Sequence, residues 1–429
     1  MSRNSELFEK AKTIIPGGVN SPVRAFKAVG GIPPFISKGK GCKIYDEDGK
    51  EYIDYVASWG PLILGHADND VNKAAIDAVH KGSSFGAPTA NEVLFAEKLC
   101  EHFDSIDMVR VVNSGTEATM ASIRLARGFT KRDKIVKMAG CYHGCVEALL
   151  VEAGSGLATF AIPGSPGITK GTAGDTLVVP YNDVSAVEKI FETHGNEIAA
   201  IIVEPVPGNM GVIIPDKGYL EFLRKITSTY GSLLIFDEVM SGFRVNYAGA
   251  QEKYNVTPDL TCLGKVIGGG FPVGAFGGRK DIMQLISPSG PVYQAGTLSG
   301  NPVAIAAGLA TISKLTEDVF NKIEKQAEKL AKGLRKIALE EEVPVIVNRQ
   351  GTMMTIFFSD KPVRCYKDAQ ESDTQKYNEY FRNMISRGIA LAPSAYEAAF
   401  VGLCHDDEVI EKTLIAHLES LKALKEGSK

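Results

Sequence analysis

The chain has 429 residues, enough for a large buried core and for more than one domain. Its 47 basic and 51 acidic side chains leave a formal charge of −4 with both signs spread along the sequence, which argues against a nucleic-acid or anionic-membrane surface. No apolar run approaches a membrane span, the opening MSRNSELFEK lacks the pattern of a secretory leader, and seven scattered cysteines fit reduced thiols in a cytoplasmic setting.

Residues 2–15 carry an amphipathic helical pattern that stops at Pro16-Gly17-Gly18. The following Asn20-Ser21-Pro22-Val23-Arg24-Ala25-Phe26 reads as a proline-stiffened extended segment with one arginine among apolar residues. Arg24 is there either as a surface arginine or as a clamp for a substrate carboxylate. Residues 42–56 alternate about Asp48-Gly49, a hairpin signal. Trp59, the only tryptophan, sits between Ser58 and Gly60-Pro61, where it can line a pocket or fill a core. Helices are predicted over 70–81 and 91–103. A strand over Met108–Val112 then leads through Asn113-Ser114-Gly115-Thr116 into a helix ending near Phe129. A strand, Ser-Gly-Thr and a helix start can hold a phosphate on free backbone N–H groups and the helix dipole. Simple capping by Ser114 or Thr116 explains the same residues.

A strand over Lys134–Met138 ends in Gly140-Cys141-Tyr142-His143-Gly144, whose aromatic ring and imidazole can stack on a flat ligand. Cys141 and Cys145 flank His143 without C-x-x-C spacing or a second ligand pair, so no metal is expected. Residues 152–174, rich in Gly, Ser, Thr and Pro, read as a lid. The strand Ile198–Val203 carries Glu204 at its tip. The apolar run Ser232–Phe236 ends in Asp237-Glu238, and Asp259–Leu263 delivers Gly264-Lys265 into Gly268-Gly269-Gly270. Lys265 has small or apolar neighbours in sequence, and desolvation there favours the neutral amine. This is neither a P-loop nor a G-x-G-x-x-G turn. Strands alternating with helices across 105–280 specify a mostly parallel sheet covered on both faces, with ligands at the strands' C-terminal ends.

Beyond Asn301-Pro302, helices are predicted near 302–316 and 318–340, strands near 343–347 and 352–358, a polar stretch over 359–373, and helices near 374–387 and 406–425. This order suits a smaller α+β domain whose other half is the N-terminal hairpin. The expected division is 1–60 as an N-terminal part of that small domain, 61–310 as a large domain, and 311–429 as the C-terminal remainder.

Taken in order, Ser114-Gly115-Thr116, Tyr142-His143-Gly144, Glu204, Asp237-Glu238-Val239 and Lys265 resemble the fold-type I, class III pyridoxal phosphate enzymes of the aminotransferase family. Within it, Pro16-Gly17-Gly18-Val19-Asn20-Ser21-Pro22-Val23-Arg24-Ala25-Phe26, Ser58-Trp59-Gly60-Pro61, Gly65-His66 and Gly296-Thr297-Leu298-Ser299-Gly300-Asn301-Pro302 resemble the glutamate-1-semialdehyde 2,1-aminomutases. The likeness runs through essentially the whole chain. It implies pyridoxal 5′-phosphate, or its pyridoxamine form, as cofactor. Lys265 is then the amine that carries the cofactor and moves protons, and Asp237 pairs with the ring nitrogen. Tyr142 stacks on the ring with His143 beside it, Ser114, Gly115 and Thr116 hold the phosphate, and Glu204 and Asn209 lie on the polar side. The resemblance also implies a homodimer in which Thr297 reaches the partner subunit's phosphate site. Arg24 takes the substrate carboxylate with Ser21 and Trp59 beside it, and Ser155, Tyr293 and Glu397 line the rest of the pocket.

The implied reaction converts (S)-4-amino-5-oxopentanoate to 5-aminolevulinate for tetrapyrrole synthesis, through a diamine that must stay bound between half-reactions. A glutamyl-tRNA reductase that hands over the substrate is the implied protein partner. An ω-aminotransferase is the nearest alternative. Such enzymes usually need a second carboxylate receptor, often a C-terminal arginine, whereas Ala392-Pro393-Ser394-Ala395-Tyr396-Glu397 offers an acid. A non-catalytic binding protein on the same fold is the third reading, and an intact Lys265 and Asp237 count against it.

Overall fold

The computed structural model describes residues 2–151 and 164–427. The helix Arg3–Ile14 leads to an antiparallel meander of β1 (Ile36–Lys40), β2 (Lys43–Asp46) and β3 (Glu51–Asp54). The predicted Asp48-Gly49 hairpin joins β2 to β3, with Gly49 in the left-handed region at φ 81°. One oxygen of the buried Asp46 carboxylate accepts the N–H groups of Asp48 and Lys50 at 3.0 and 2.8 Å, closing the turn. Its other oxygen accepts Tyr52 and Asn4 at 2.8 and 3.0 Å, which ties the N-terminal helix down.

Seven strands build the main sheet: β4 (Met108–Val112), β5 (Lys134–Met138), β6 (Thr176–Val179), β7 (Ile198–Val203), β8 (Leu233–Asp237), β9 (Leu260–Leu263) and β10 (Gly274–Gly278). Their spatial order is β4-β10-β9-β8-β7-β5-β6. All neighbouring pairs are parallel except those of β10, which runs antiparallel to both β4 and β9. Every residue of β7 and β8 is buried. Strand residues alternate between two apolar layers, as the pleat requires. Ile201, Val203, Leu234 and Phe236 pack with Val187, Phe191, Leu220 and Leu223 of helices Val184–His194 and Tyr219–Tyr230. Ala200, Ile202, Leu233 and Ile235 pack with Ala118, Ala121 and Leu125 of helix Gly115–Thr130.

Toward the C-terminus, β11 (Ile346–Gln350) and β12 (Met353–Phe357) pair antiparallel. β13 (Ile389–Ala390) lies parallel to β3, and β14 (Ala399–Phe400) closes onto β12. The N-terminal meander is thus completed by a strand from near the far end of the chain. Helices Glu317–Glu340, Thr374–Ser386 and Asp407–Gly427 cover this region.

Several expectations need correction. Residues Pro22–Ala25 form a 3-10 turn rather than an extended segment, and Phe26 ends it in the left-handed region at φ 56°. The strand expected at 343–347 is Ile346–Gln350, because Pro344 cannot donate to a ladder and pairing begins beyond it. The polar stretch 359–373 contains a short helix, Tyr366–Glu371. Of the expected lid, 152–163 lie outside the described residues, Ser155 among them, and the rest ends in a short helix, Lys170–Gly174.

Candidate active site

The C-terminal ends of β5, β7, β8 and β9, the start of helix Gly115–Thr130 and the segment 21–23 converge on one cavity of about 510 Å³. Of the sequence-predicted residues, it brings together Ser21, Trp59, Ser114, Gly115, Thr116, Tyr142, His143, Glu204, Asn209, Asp237, Lys265 and Glu397. It does not include Arg24, Tyr293 or Thr297. All three side chains are exposed on the described surface, and Tyr293 keeps 70% of its area open. The guanidinium of Arg24 has no hydrogen-bond or ion-pair partner among the described residues, although Val23, its neighbour, lines the cavity.

Asp237 is the last residue of β8 and is almost fully buried. Its Oδ1 accepts the Val239 N–H at 3.0 Å, and its Oδ2 lies 2.7 Å from Nδ1 of the buried His143. A carboxylate at Asp237 fixes the proton on Nδ1. The Nε2 of His143 has no partner among the described residues and remains an acceptor in reserve. Glu204, at the end of β7, accepts the Tyr142 N–H at 2.7 Å, the Gly208 N–H at 3.2 Å and the Asn209 amide at 3.0 Å. These bonds set the backbone from which the Tyr142 ring enters the cavity. Burial raises the Glu204 carboxyl above its ordinary range, partly offset by His143. Burial also pushes the Tyr142 phenol up to about 12, although more than a third of the residue's surface is exposed and it lines the cavity.

Lys265 follows β9 after Gly264 and has φ 49°, a left-handed conformation costly for a side chain of this size. Part of its surface opens to the cavity, while the protein around it is dense enough to desolvate the amine. Burial therefore lowers its pKa, and Arg244 adds to the effect; Glu397, Glu204 and Asp237 pull it back up. The neutral amine that nucleophilic and proton-transfer chemistry needs is favoured by this setting.

The helix start is shaped for an anion. Ser114 caps it, with its Oγ accepting the Glu117 N–H at 3.2 Å and its carbonyl accepting that of Ala118 at 3.1 Å. The N–H groups of Gly115 and Thr116 are left without intrahelical acceptors. Capping and anion binding, alternatives in the sequence, thus coexist. A Cβ on Gly115 would lie 2.8 Å from the Val239 side chain, and one on Gly144 (φ 84°) would lie 2.4 Å from Thr116 Oγ1. Both glycines keep a cradle open that any side chain would fill. An open cradle of N–H groups, an aromatic face, a buried carboxylate across the cavity and a desolvated amine fit a phosphorylated pyridine aldehyde.

The sequence reading missed Arg244, which is fully buried just beyond the carboxylates of β8. It placed Glu238 at the strand end without a role, and the structure shows it fully buried and satisfied by Ser241, Ala250 and Gln251. A charged residue between Phe243 and Val245, both buried, was the available signal for Arg244. It also missed the backbone of the cavity wall: Ala57, Ser58 and Trp59 have φ of 47°, 57° and 68°, and Gly60 has φ 108°. Each left-handed non-glycine costs about 1–2 kcal/mol, so this turn must be held in place by its surroundings.

A profile of the class-III aminotransferases matches residues 26–402. The chain belongs to the class-III aminotransferase family. Relatives of this class-III chain include the glutamate-1-semialdehyde 2,1-aminomutase 2 of Brevibacillus brevis, 53% identical over 421 residues that cover 98% of each sequence. The glutamate-1-semialdehyde 2,1-aminomutase of Persephonella marina is 55% identical over 415 residues, 96% of this chain and 97% of its own. Among solved structures, an omega-transaminase from Sphaerobacter thermophilus superposes with a TM-score of 0.92 at 33% identity, covering 99% of this chain and 98% of that one. A glutamate-1-semialdehyde-aminomutase from Pseudomonas aeruginosa in complex with PMP superposes at 0.88 with 25% identity, covering 98% of this chain and 94% of that one. The fold-type I architecture read from the sequence is therefore the one observed.

Proposed function

We propose that this class-III chain converts (S)-4-amino-5-oxopentanoate to 5-aminolevulinate by intramolecular amino transfer, in the service of tetrapyrrole synthesis. The cofactor is pyridoxal 5′-phosphate in exchange with its pyridoxamine form; when bound, it withdraws electrons from the carbon that loses or gains a proton. Gly115 and Thr116 hold its phosphate on their N–H groups, Tyr142 covers its ring, and Asp237, steadied by His143, faces its ring nitrogen. Glu204 and Asn209 form the polar side. Lys265 supplies the amine that attaches the cofactor and carries the proton.

One observation favours the aminomutase over an ω-aminotransferase. Among the described residues lining the cavity there is no arginine, and Glu397 adds a carboxylate to that lining. A cavity lined by an acid and no arginine suits a substrate whose far end carries an amine or aldehyde rather than a second carboxylate. The single carboxylate is assigned to Arg24, next to the wall formed by Ser21, Pro22 and Val23, with Ser21 and Trp59 beside it. Ser155 and Tyr293 are the remaining candidates for substrate contact. Turnover of the semialdehyde with no added keto acid or amino donor tests the reading. Strict dependence on a keto acid would turn it toward the ω-aminotransferase.

The partner in solution is a second copy of this chain. Exposed Ile76 and Val79 on helix Asn69–Lys81, Val93 and Leu94 on helix Ala90–His102, and Phe85, Tyr293 and Leu298 on nearby loops support this, since so much apolar surface suits an interface. Thr297, exposed on the last of these loops, then completes the partner subunit's phosphate site. A glutamyl-tRNA reductase is the proposed supplier of the reactive aldehyde, and the cytoplasm the proposed location. None of the helices among the described residues is long and apolar enough to cross a membrane. The division into a large domain at 61–310 and a small one assembled from 1–60 and 311–429 is supported by β13 pairing with β3.

A further inference from the structure

Arg244 is fully buried, and among the described residues no carboxylate pairs with it. Its Nε and Nη2 both donate to the Gly60 carbonyl, at 3.0 and 2.6 Å. Its Nη1 donates to the Val401 carbonyl at 2.7 Å and to Thr352 Oγ1 at 3.3 Å. The guanidinium also lies over the Phe400 ring, 5.1 Å from its centroid. A buried cation answered only by neutral acceptors is costly, and burial pushes its pKa down to about 9. What it grips is the end of the left-handed turn Ala57–Gly60.

That turn is also secured from its other side. The Asp54 carboxylate accepts the N–H groups of Val56 and Ala57 at 2.8 and 3.1 Å and is itself met by His66 Nε2 at 2.7 Å. Gly60 abuts the catalytic side chain: a Cβ built on it would lie 3.6 Å from Lys265 Cδ and 3.1 Å from the Phe400 ring. The fork of a guanidinium suits this geometry, since one planar group reaches a single carbonyl through two N–H donors and still spans to Val401.

We propose that Arg244 is a positioning residue for Lys265: by clamping the Gly60 carbonyl it holds the left-handed Ala57–Gly60 turn against the lysine's aliphatic stem and sets where the amine ends in the cavity. The inference rests on Lys265 being the amine that carries the cofactor. Arg244 acts without touching substrate, through the turn that also carries Trp59. Its buried positive charge adds to desolvation in keeping the amine neutral.

Trp59 is the only tryptophan in the chain, so its emission reports on the turn directly. The test uses full-length enzyme carrying Arg244→Gln, which keeps a donor without the charge, and Arg244→Lys, which keeps the charge without the fork. Both should shift Trp59 emission and make it more accessible to acrylamide. For Arg244→Gln, kcat should fall on the order of a hundredfold with KM little changed, the usual result of a small misplacement of a reacting group. Arg244→Lys should recover part of that loss. The pH midpoint for capture of pyridoxal phosphate by stripped full-length protein should move up for Arg244→Gln and stay near wild type for Arg244→Lys. If Arg244→Gln fails to fold, Arg244→Lys decides through its Trp59 emission and kcat. Lys265→Ala serves as the control for the underlying assignment. If borohydride still locks the cofactor onto that variant, the lysine assignment falls. If that control behaves and the folded Arg244 variants keep wild-type Trp59 emission and kcat, the clamp falls.

Discussion

Replacing Asp237 by Asn changes one charge at the floor of the cavity and almost no volume. In the wild type its two oxygens take the Val239 N–H at 3.0 Å and His143 Nδ1 at 2.7 Å. An Asn at this position can keep Oδ1 on the Val239 N–H and turn its NH2 toward His143. The imidazole can accept that donor by moving its proton to Nε2, which has no partner among the described residues. The fold therefore exchanges a charge-assisted bond, worth about 1.5–3 kcal/mol, for a neutral one of about 0.5–1.5, a loss near 1 kcal/mol. The melting temperature should drop by only a few degrees. Catalysis should suffer far more, because a neutral amide cannot hold a proton on the ring nitrogen. Removing one preorganised electrostatic partner costs about 3–4 kcal/mol in the chemical step, on the order of 10²–10³ in kcat. Steady-state conversion of the semialdehyde at saturating cofactor measures kcat, and an absorbance titration measures cofactor affinity separately. A kcat near wild type in a folded, cofactor-saturated Asp237→Asn protein would refute the assignment of Asp237 to the ring nitrogen.

Lys265→Ala should lower turnover by on the order of 10⁴ or more, since one amine serves as both anchor and proton carrier; borohydride treatment followed by peptide mapping should find no cofactor attached at that position. Gly144→Ala forces a Cβ to within 2.4 Å of Thr116 Oγ1 at φ 84°, so the phosphate cradle must shift and cofactor affinity should fall about tenfold, read as a Kd. Arg24→Ala should cost about tenfold to a hundredfold in kcat/KM with kcat less affected, the figure set by an exposed side chain offering one effective charge-assisted bond. His405 and His417, both buried, are pushed down to about 4. The unfolded chain then binds more protons than the folded one between pH 6.5 and 4, so stability falls as pH drops through that window by about 3 kcal/mol per histidine. Thermal melts across this range check it, and a flat profile would show that both imidazoles charge freely in the fold.

Strands whose residues are buried on both faces were plain in the sequence, because β7 and β8 read as unbroken apolar runs ending in Glu204 and Asp237. The lysine was legible for the same reason, from its place after β9. β10 was not, since Gly-Ala-Phe-Gly-Gly carries no strand pattern. Its glycines are there for close approach: a Cβ on Gly274 would sit 2.3 Å from the Ser114 carbonyl, and one on Gly278 would sit 2.2 Å from that of Asp259. Arg24 was singled out from its sequence setting, yet its guanidinium stands outside the cavity on the described surface. Arg244 went unread because its partners, Gly60 and Val401, are distant in sequence and are backbone carbonyls, which no side-chain pattern reveals.

The pairing of β13 with β3 bears on how the chain is made. The N–H groups of Ile53 and Tyr55 donate to the carbonyls of Gly388 and Ala390, so one edge of β3 is satisfied only by residues near the far end. At a synthesis rate of about 5–20 residues per second, those residues leave the ribosome on the order of half a minute after β3. For that interval the nascent meander has an open hydrogen-bonding edge while the seven strands of the main sheet are emerging behind it. Open edges of this kind recruit strands from other chains. β3 ends in Asp54, and its short length and acidic ends at Glu51 and Asp54 make it a poor template during the wait.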